Sequence, residues 1–406
     1  MRDVLKLTYL LLALPTVSLW ANDAPVLDMA SSVAEALKNN PELRALEARI
    51  ESARKGVGVA KVYSFNPEFN FEEGLDRHFG VSQTIEWPGK RALRTALAGK
   101  DVAAAEVALD GFKVALAAEV RARWAELVAA QKILDVRRAE LQAAERFLDS
   151  ARKRVEGGFA PRPERTQAEV EVVKARRELR AAENAVAVGR ASLNVLLGRE
   201  AQAPLQIAGE LTAPQTDHSA ARWMAAALER NTELRVLRVD MDKAGLSVRL
   251  ARKEAAPDIS VEPFYEYDPK NGADNKVGVA VTVPLPVWRT NRPFVDVAQA
   301  SEREISAQYE KARRAVLGEV QKAHDTLRAA QDQLAAFTPK LQAELETQLA
   351  DTQEKYANGQ VSFLVLLEIQ RTYFEYLRDY YDTLSNVRTA QSELEKTSTT
   401  SLEELK

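Results

Sequence analysis

No cysteine occurs anywhere in the chain, histidine occurs only at His78, His218 and His324, and aromatic residues make up just 7% of the sequence. The missing thiols exclude disulfides, a cysteine-linked lipid and any thiolate metal centre. Three separated histidines, with no HExxH, phosphate loop or nucleophile elbow, leave no site for metal-assisted or nucleophilic catalysis. Three methionines beyond Met1 do not make a soft-metal relay either. No cofactor or metal site is expected, and the chain does not read as an enzyme. Charge of one sign is also lacking: 56 basic and 59 acidic residues are interspersed, for a net charge of −3. That leaves no basic surface for nucleic acid. Finally, beyond the N-terminus no apolar run reaches the ~18–20 residues that a membrane-spanning helix needs. If the chain crosses a bilayer, it must do so with β-strands.

What is present is Ala, Leu, Glu, Arg and Val, with Gly and Pro sparse over 406 residues. Such usage belongs to long helices packed on one another. Residues 1–21 read separately as a secretory signal. Arg2 and Lys6 precede the apolar runs 10–14 and 17–20, and a small residue, Ala21, marks the cleavage point.

The remainder reads as a duplication, residues 22–213 and 214–406. ALKNNPEL at 36–43 matches ALERNTEL at 227–234. Each is followed by a helical stretch and a Pro-opened extended segment, NPEFNFEEG at 66–74 and APDISVEPFYEY at 256–267. GVSQTIEWPGKR at 80–91 and GVAVTVPLPVWRTNR at 278–292 come next. The predicted order in each half is helix, β-hairpin (67–87 and 258–285), long helix (90–156 and 294–358), glycine turn and return helix. The stretch from Arg91 to Glu156 has no proline, and a helix of that length spans ~100 Å. In the second long helix, Val316, Val320, Ala323, Leu327, Ala330, Leu334, Phe337 and Leu341 form a coiled-coil seam, and Pro339 predicts a kink. In the first, Leu127, Leu134, Leu141 and Leu148 recur every seven residues. Helices this long build a rod or a tube.

The hairpins alternate. Val277, Val279, Val281 and Val283 share one face, with Gly278, Ala280 and Thr282 on the other. Phe69 and Phe71 alternate with Asn70 and Glu72. That period suits a barrel wall between lipid and water, and equally a half-buried soluble hairpin. The exits favour the barrel. Trp87-Pro88-Gly89-Lys90-Arg91 and Pro286-Val287-Trp288-Arg289 both put tryptophan beside positive charge, the chemistry of a membrane–water interface. Trp87, Lys90, Arg91, Trp288 and Arg289 are therefore the expected interface anchors, in contact with membrane lipid. Four strands cannot close a membrane barrel, which needs at least ~8. Two copies would give eight strands and three copies twelve, and the pattern alone does not choose.

The duplicated NPEL-type start, GVSQTIEWPGKR, VPLPVW at 283–288 and YANGQVSFLVLLEIQRT at 356–372 resemble the TolC-like outer-membrane efflux channels of Gram-negative bacteria. The strand exit is most similar to the branch serving heavy-metal pumps of the resistance–nodulation–division (RND) class. The resemblance implies a mainly α protein with a small membrane β-barrel: a homotrimer whose four strands per chain make a twelve-stranded barrel, with an α-helical tunnel across the periplasm. It implies a passive exit duct, served by a periplasmic adaptor and an inner-membrane RND pump, with metal cations as cargo. By the same resemblance the adaptor-contact tips are Gly157, Gly158, Phe159, Ala160 and Pro161, and Gly359, Gln360, Val361 and Ser362. The periplasmic gate falls on Glu368, facing a common axis, with Arg162 and Arg165 pairing to acidic neighbours; an acidic position of the family pattern is here Val365. Multidrug efflux and type I protein secretion use the same architecture and remain open, and a pore-less periplasmic adaptor is the alternative of a different class.

Overall fold

The structure, a computed structural model, describes residues 26–74, 76–213, 219–267, 275–285 and 291–402. The expected signal at 1–21 and the anchors Trp288 and Arg289 lie outside the described residues.

The first half opens with a two-residue strand β1 (Val26–Leu27) and helix α1 (Met29–Asn39). Asp28 and Ser31 make a reciprocal capping box there, satisfying amide groups the first helical turn leaves free. Helix α2 (Pro41–Lys61) starts on Pro41, whose missing N–H costs nothing at that position. Strands β2 (Glu68–Glu73) and β3 (Arg77–Ile85) follow, then α3 (Lys90–Glu156) and α4 (Arg162–Leu196). Helix α3 runs unbroken for 67 residues, about 100 Å. Leu127 and Leu134 are buried along it, and alanines at 118, 125, 129, 144 and 151 let neighbouring helices approach closely. A short strand β4 (Gln206–Ile207) then pairs in parallel with β1 and fastens the chain start to the segment after α4.

The second half repeats the order with α5 (Ala220–Arg230), α6 (Thr232–Lys253), β5 (Ile259–Tyr267) and β6 (Lys276–Thr282). Its long helix is not one element. Helix α7 (Arg292–Ala335) stops, residues 336–338 leave the helix, and α8 (Pro339–Ala357) begins anew before α9 (Phe363–Ser398). The kink expected at Pro339 is thus a full break. Proline forces Thr338 before it into an extended conformation (φ −98°, ψ 142°), and Thr338 then caps α8 by accepting the Leu341 N–H at 3.3 Å. Phe337 is released to lie between Tyr376 and Tyr380, with ring centroids at 5.2 and 5.9 Å. The seam accordingly buries Val316, Val320, Leu327 and Ala330 but fails beyond the break, where Leu341 is 40% exposed.

Both halves turn on an equivalent asparagine. Asn40 accepts the Glu42 N–H at 2.9 Å and donates to the Leu196 carbonyl at 3.0 Å. Asn231 accepts the Leu234 N–H at 3.1 Å and donates to the Thr397 carbonyl at 2.9 Å. Each buried side chain caps the start of one helix and ties it to the end of that half's return helix. Two aromatic-centred cores lie beside these pivots, one on Trp124 with Leu116, Val120 and Leu193, the other on Trp223 with Val316, Val320 and Leu394. The halves meet through α3 and α6, where Lys100 pairs with Asp242 at 2.7 Å and Lys243 pairs reciprocally with Asp101.

Candidate functional site: sheet, strand exit and helix tips

The strands of both hairpins merge into one antiparallel sheet, in the order β2-β3-β5-β6. Its register settles which residues share a face. Phe71 lies opposite Phe79, Phe79 opposite Tyr265 and Tyr265 opposite Val277; Phe69 lies opposite Val81 and Val261 opposite Val281. With Ile85, Val279 and Val283 these make a nearly continuous apolar face that is largely exposed, Val277 to 84%. The opposite face carries Glu68, Asn70, Glu72, His78, Ser82, Thr84, Glu262, Glu266 and Lys276. A soluble sheet turns its apolar face to a core. Here that face has no cover among the described residues, and the polar one is held by internal hydrogen bonds, the pattern of a wall between lipid and water. None of the described helices is long and apolar enough to cross a membrane.

The strand exit is tied down by charge. Gly89 takes a left-handed conformation (φ +97°) and opens α3 directly from Trp87-Pro88. Lys90, expected to reach lipid headgroups, points inward instead. It is 6% exposed and pairs with Asp258 at 2.9 Å. A buried ammonium needs a partner, and Asp258, at the start of β5, supplies it. The same carboxylate oxygen accepts the Trp87 N–H at 2.7 Å. Burial acts to raise the Asp258 pKa, but the hydrogen bonds from Lys90 and Trp87, with Lys90's charge, outweigh it and hold the group below its ordinary range. Beside it Glu86, also buried, pairs with Arg94, which reaches Ser64 at 2.7 Å. Arg91 stays exposed, its guanidinium 5.7 Å from the centre of the Tyr63 ring, and Trp87 is partly exposed.

At the far end, the two tips use the same turn. Gly158 and Gly359 both adopt φ +75°, where any side chain is strained. The amide of the next residue reaches back to a helix carbonyl: Phe159 to Arg154 at 2.7 Å, Gln360 to Lys355 at 2.8 Å. Gly157, Ala160 and Pro161 complete the first turn, Val361 and Ser362 the second, and Phe159 projects into solvent. The tips are joined side by side. Arg154 lies over the Tyr356 ring (4.8 Å) and donates to the Tyr356 carbonyl at 2.8 Å, while the Tyr356 hydroxyl donates to Glu164 at 2.5 Å. Burial first, then the Glu164 carboxylate, pushes the Tyr356 hydroxyl well above its ordinary pKa, so it stays a donor. Phe147 stacks on Phe363 at 4.7 Å beneath this contact, and Arg371 pairs with Glu171 across α9 and α4 at 2.9 Å.

Of the two arginines expected at the gate, Arg165 finds an acidic neighbour, and neither makes an ion pair from one tip to the other among the described residues. Arg165 pairs with Glu169 on its own helix at 3.1 Å, and Arg152 on α3 lies 3.6 Å from the same carboxylate oxygen. Arg162 makes no ion pair among the described residues. The cross-tip ties are Arg154–Tyr356–Glu164 and Arg371–Glu171, all joining residues about 190 to 200 positions apart. No local pattern signals them, apart from Arg154 and Tyr356 each standing three residues before a tip glycine. Glu368 is exposed and its carboxylate has no partner among the described residues. Next to it Arg162, Val170, Glu171, Leu364 and Leu367 line an apolar cleft of about 780 Å³ between α4 and α9.

The sheet with its bare apolar face is carried on long helices, α3 alone spanning about 100 Å, that end in paired tips, an arrangement that suits a membrane conduit. Residues 33–199 and 223–398 match the family described as Outer membrane efflux protein, and the chain belongs to that family. It is an outer-membrane efflux channel of the Gram-negative type, in a family of channels rather than enzymes, whose members are trimeric and work with adaptor and pump partners. Solved structures share the fold. CusC superposes with a TM-score of 0.74 at 17% identity, over 94% of this chain and 95% of that one. A membrane protein from Pseudomonas aeruginosa gives 0.77 at 20%, over 93% and 91%. The outer membrane protein VceC from Vibrio cholerae gives 0.71 at 17%, over 92% and 96%. No curated protein sequence matches the chain.

Proposed function

We propose that three copies of this chain, each built from the tandem repeats 22–213 and 214–406, close a twelve-stranded barrel. The assembly serves as the passive exit duct of a tripartite efflux system, with metal cations as cargo. The observation that carries the reading is the sheet: one face apolar and uncovered, the other polar, and both outer strands, β2 and β6, paired on one side only. An open strand edge demands a partner, and in a bilayer an unpaired one is not tolerated. Joining β6 of one copy to β2 of the next removes every edge.

The helices then continue the wall across the periplasm, and the turns at Gly158 and Gly359 present the tips to an adaptor. The apolar cleft between α4 and α9, with Val170 and Leu364 exposed on its walls, offers that partner a seat. Energy and substrate choice belong to an inner-membrane RND pump. The metal cargo rests on the likeness of the Trp87–Arg91 exit to channels serving metal pumps. Three copies of Glu368, each without a side-chain partner among the described residues, would ring the axis and draw cations through the tip. Tyr356–Glu164 and Arg371–Glu171 hold that tip closed until the adaptor separates α4 from α8 and α9.

Reconstitution into planar bilayers tests this reading. The protein should form pores that prefer K+ to Cl−, and E368K should lower that preference. Unchanged ion selectivity in E368K would discard the ring, and no conductance at all would discard the channel.

A further inference from the structure

Among the described strands, the polar face of the sheet carries one titratable group that ordinarily changes charge between pH 5 and 8, His78 on β3. Its surroundings are acidic from both sides. Glu72 on β2 and Glu266 on β5 are its direct cross-strand neighbours. Its Nε2 lies 3.2 Å from Glu262 Oε1 and its Nδ1 3.8 Å from Glu266 Oε1. The imidazole stacks on Phe264 at 5.0 Å, which fixes its plane. Asn70 donates to the same Glu262 oxygen at 3.0 Å, and Lys276 on β6 reaches Glu266 at 3.6 Å. Gly80 makes room for this arrangement, since a Cβ there would stand 2.0 Å from Glu262 Oε1. The cluster therefore depends on a glycine and an aromatic platform, not on chance proximity of surface charges.

We infer that His78 is the residue through which protons tune the ion preference of the barrel lumen. The inference rests on the shared-barrel reading above, which turns this face toward the water inside. Each chain contributes the strand carboxylates Glu68, Glu72, Glu262 and Glu266 against Lys276. With His78 neutral the lumen wall is strongly acidic and favours cations. Protonating His78 removes one of three net negative charges per chain. In a wide aqueous lumen this field is screened, so the effect belongs to low ionic strength, where the Debye length is about 30 Å at 0.01 M against about 3 Å at 1 M.

Reversal potentials across a KCl gradient of about 10 to 100 mM, measured between pH 7.5 and 5.5, test it. In the wild type the K+/Cl− permeability ratio should fall roughly twofold on acidification. H78Q should hold that ratio nearly constant, H324Q and H218Q should titrate as the wild type does, and E262Q/E266Q should start from a lower ratio at pH 7.5. A pH slope in H78Q equal to the wild type's would overturn the inference, and so would a wild type without a slope. If only H78Q failed to form pores, His78 would be a folding residue and the inference would be lost. Failure of the wild type to conduct would instead defeat the channel reading itself.

Discussion

The two halves of the chain share their pivots and their turns and differ in how their long helix is made. In the first half, α3 is a 67-residue strut without a break. In the second, the corresponding length is divided at residues 336–338, and Phe337 leaves the helix to pack against Tyr376 and Tyr380. The parts repeated in both are those that fix geometry: the asparagine at the pivot and the left-handed glycine at the tip. The part that differs is where the wall bends. A continuous helix transmits position along its whole length, whereas a broken one lets the α8–α9 tip adjust against the α3–α4 tip. The Arg154–Tyr356–Glu164 contact sits on that boundary and resists the adjustment.

Breaking the strut should have the largest effect. A proline at exposed Arg138 in α3 removes a helical hydrogen bond and clashes with the preceding turn, costing about 3 kcal/mol or more. Thermal unfolding of R138P, followed by circular dichroism, should show a clear drop in Tm. P339A, at a position where the helix is already broken, should change Tm far less; equal losses in the two variants would erase the distinction between strut and hinge.

The pivots sharpen the comparison from the other side, because there the halves should behave alike. N40A and N231A each lose a helix cap and a buried donor to a return-helix carbonyl, about 1–2 kcal/mol apiece. Denaturant titrations of the two variants should give similar losses. A loss confined to one half would mean that the matching hydrogen bonds are not energetically equivalent.

The smallest stability effect, and the most informative for function, falls at the boundary between the tips. Y356F removes the donor to Glu164 and costs about 1 kcal/mol, but leaves the ring under Arg154 and against Phe147. Conductance of the resting channel should rise in Y356F while folding is kept. Resting conductance equal to the wild type's would remove Tyr356 from the gate.

Much of this architecture is legible in the order of local signals. Glycine followed by a helix-starting residue marks both tips, and strict alternation at 277–283 assigns the apolar face, because both depend on backbone preferences within a few residues. Pro339 is legible as a disturbance, but its extent is not. Whether proline kinks or breaks a helix depends on whether a side chain such as Phe337 finds a better place outside it. Lys90 shows the opposite failure. Beside Trp87 and Arg91 it reads as a headgroup anchor, yet Asp258, 168 residues away, draws it inward. The tip ties at Tyr356–Glu164 and Arg371–Glu171 were invisible for the same reason, since each joins halves of the chain that only folding brings together.

The mass and location of the purified protein test the central claim most directly. Extracted from membranes in mild detergent and weighed by light scattering, it should come from the outer-membrane fraction as a particle of three chains, each at most 45.0 kDa. A soluble periplasmic monomer would contradict the shared barrel and leave the bare apolar face of the sheet without its lipid.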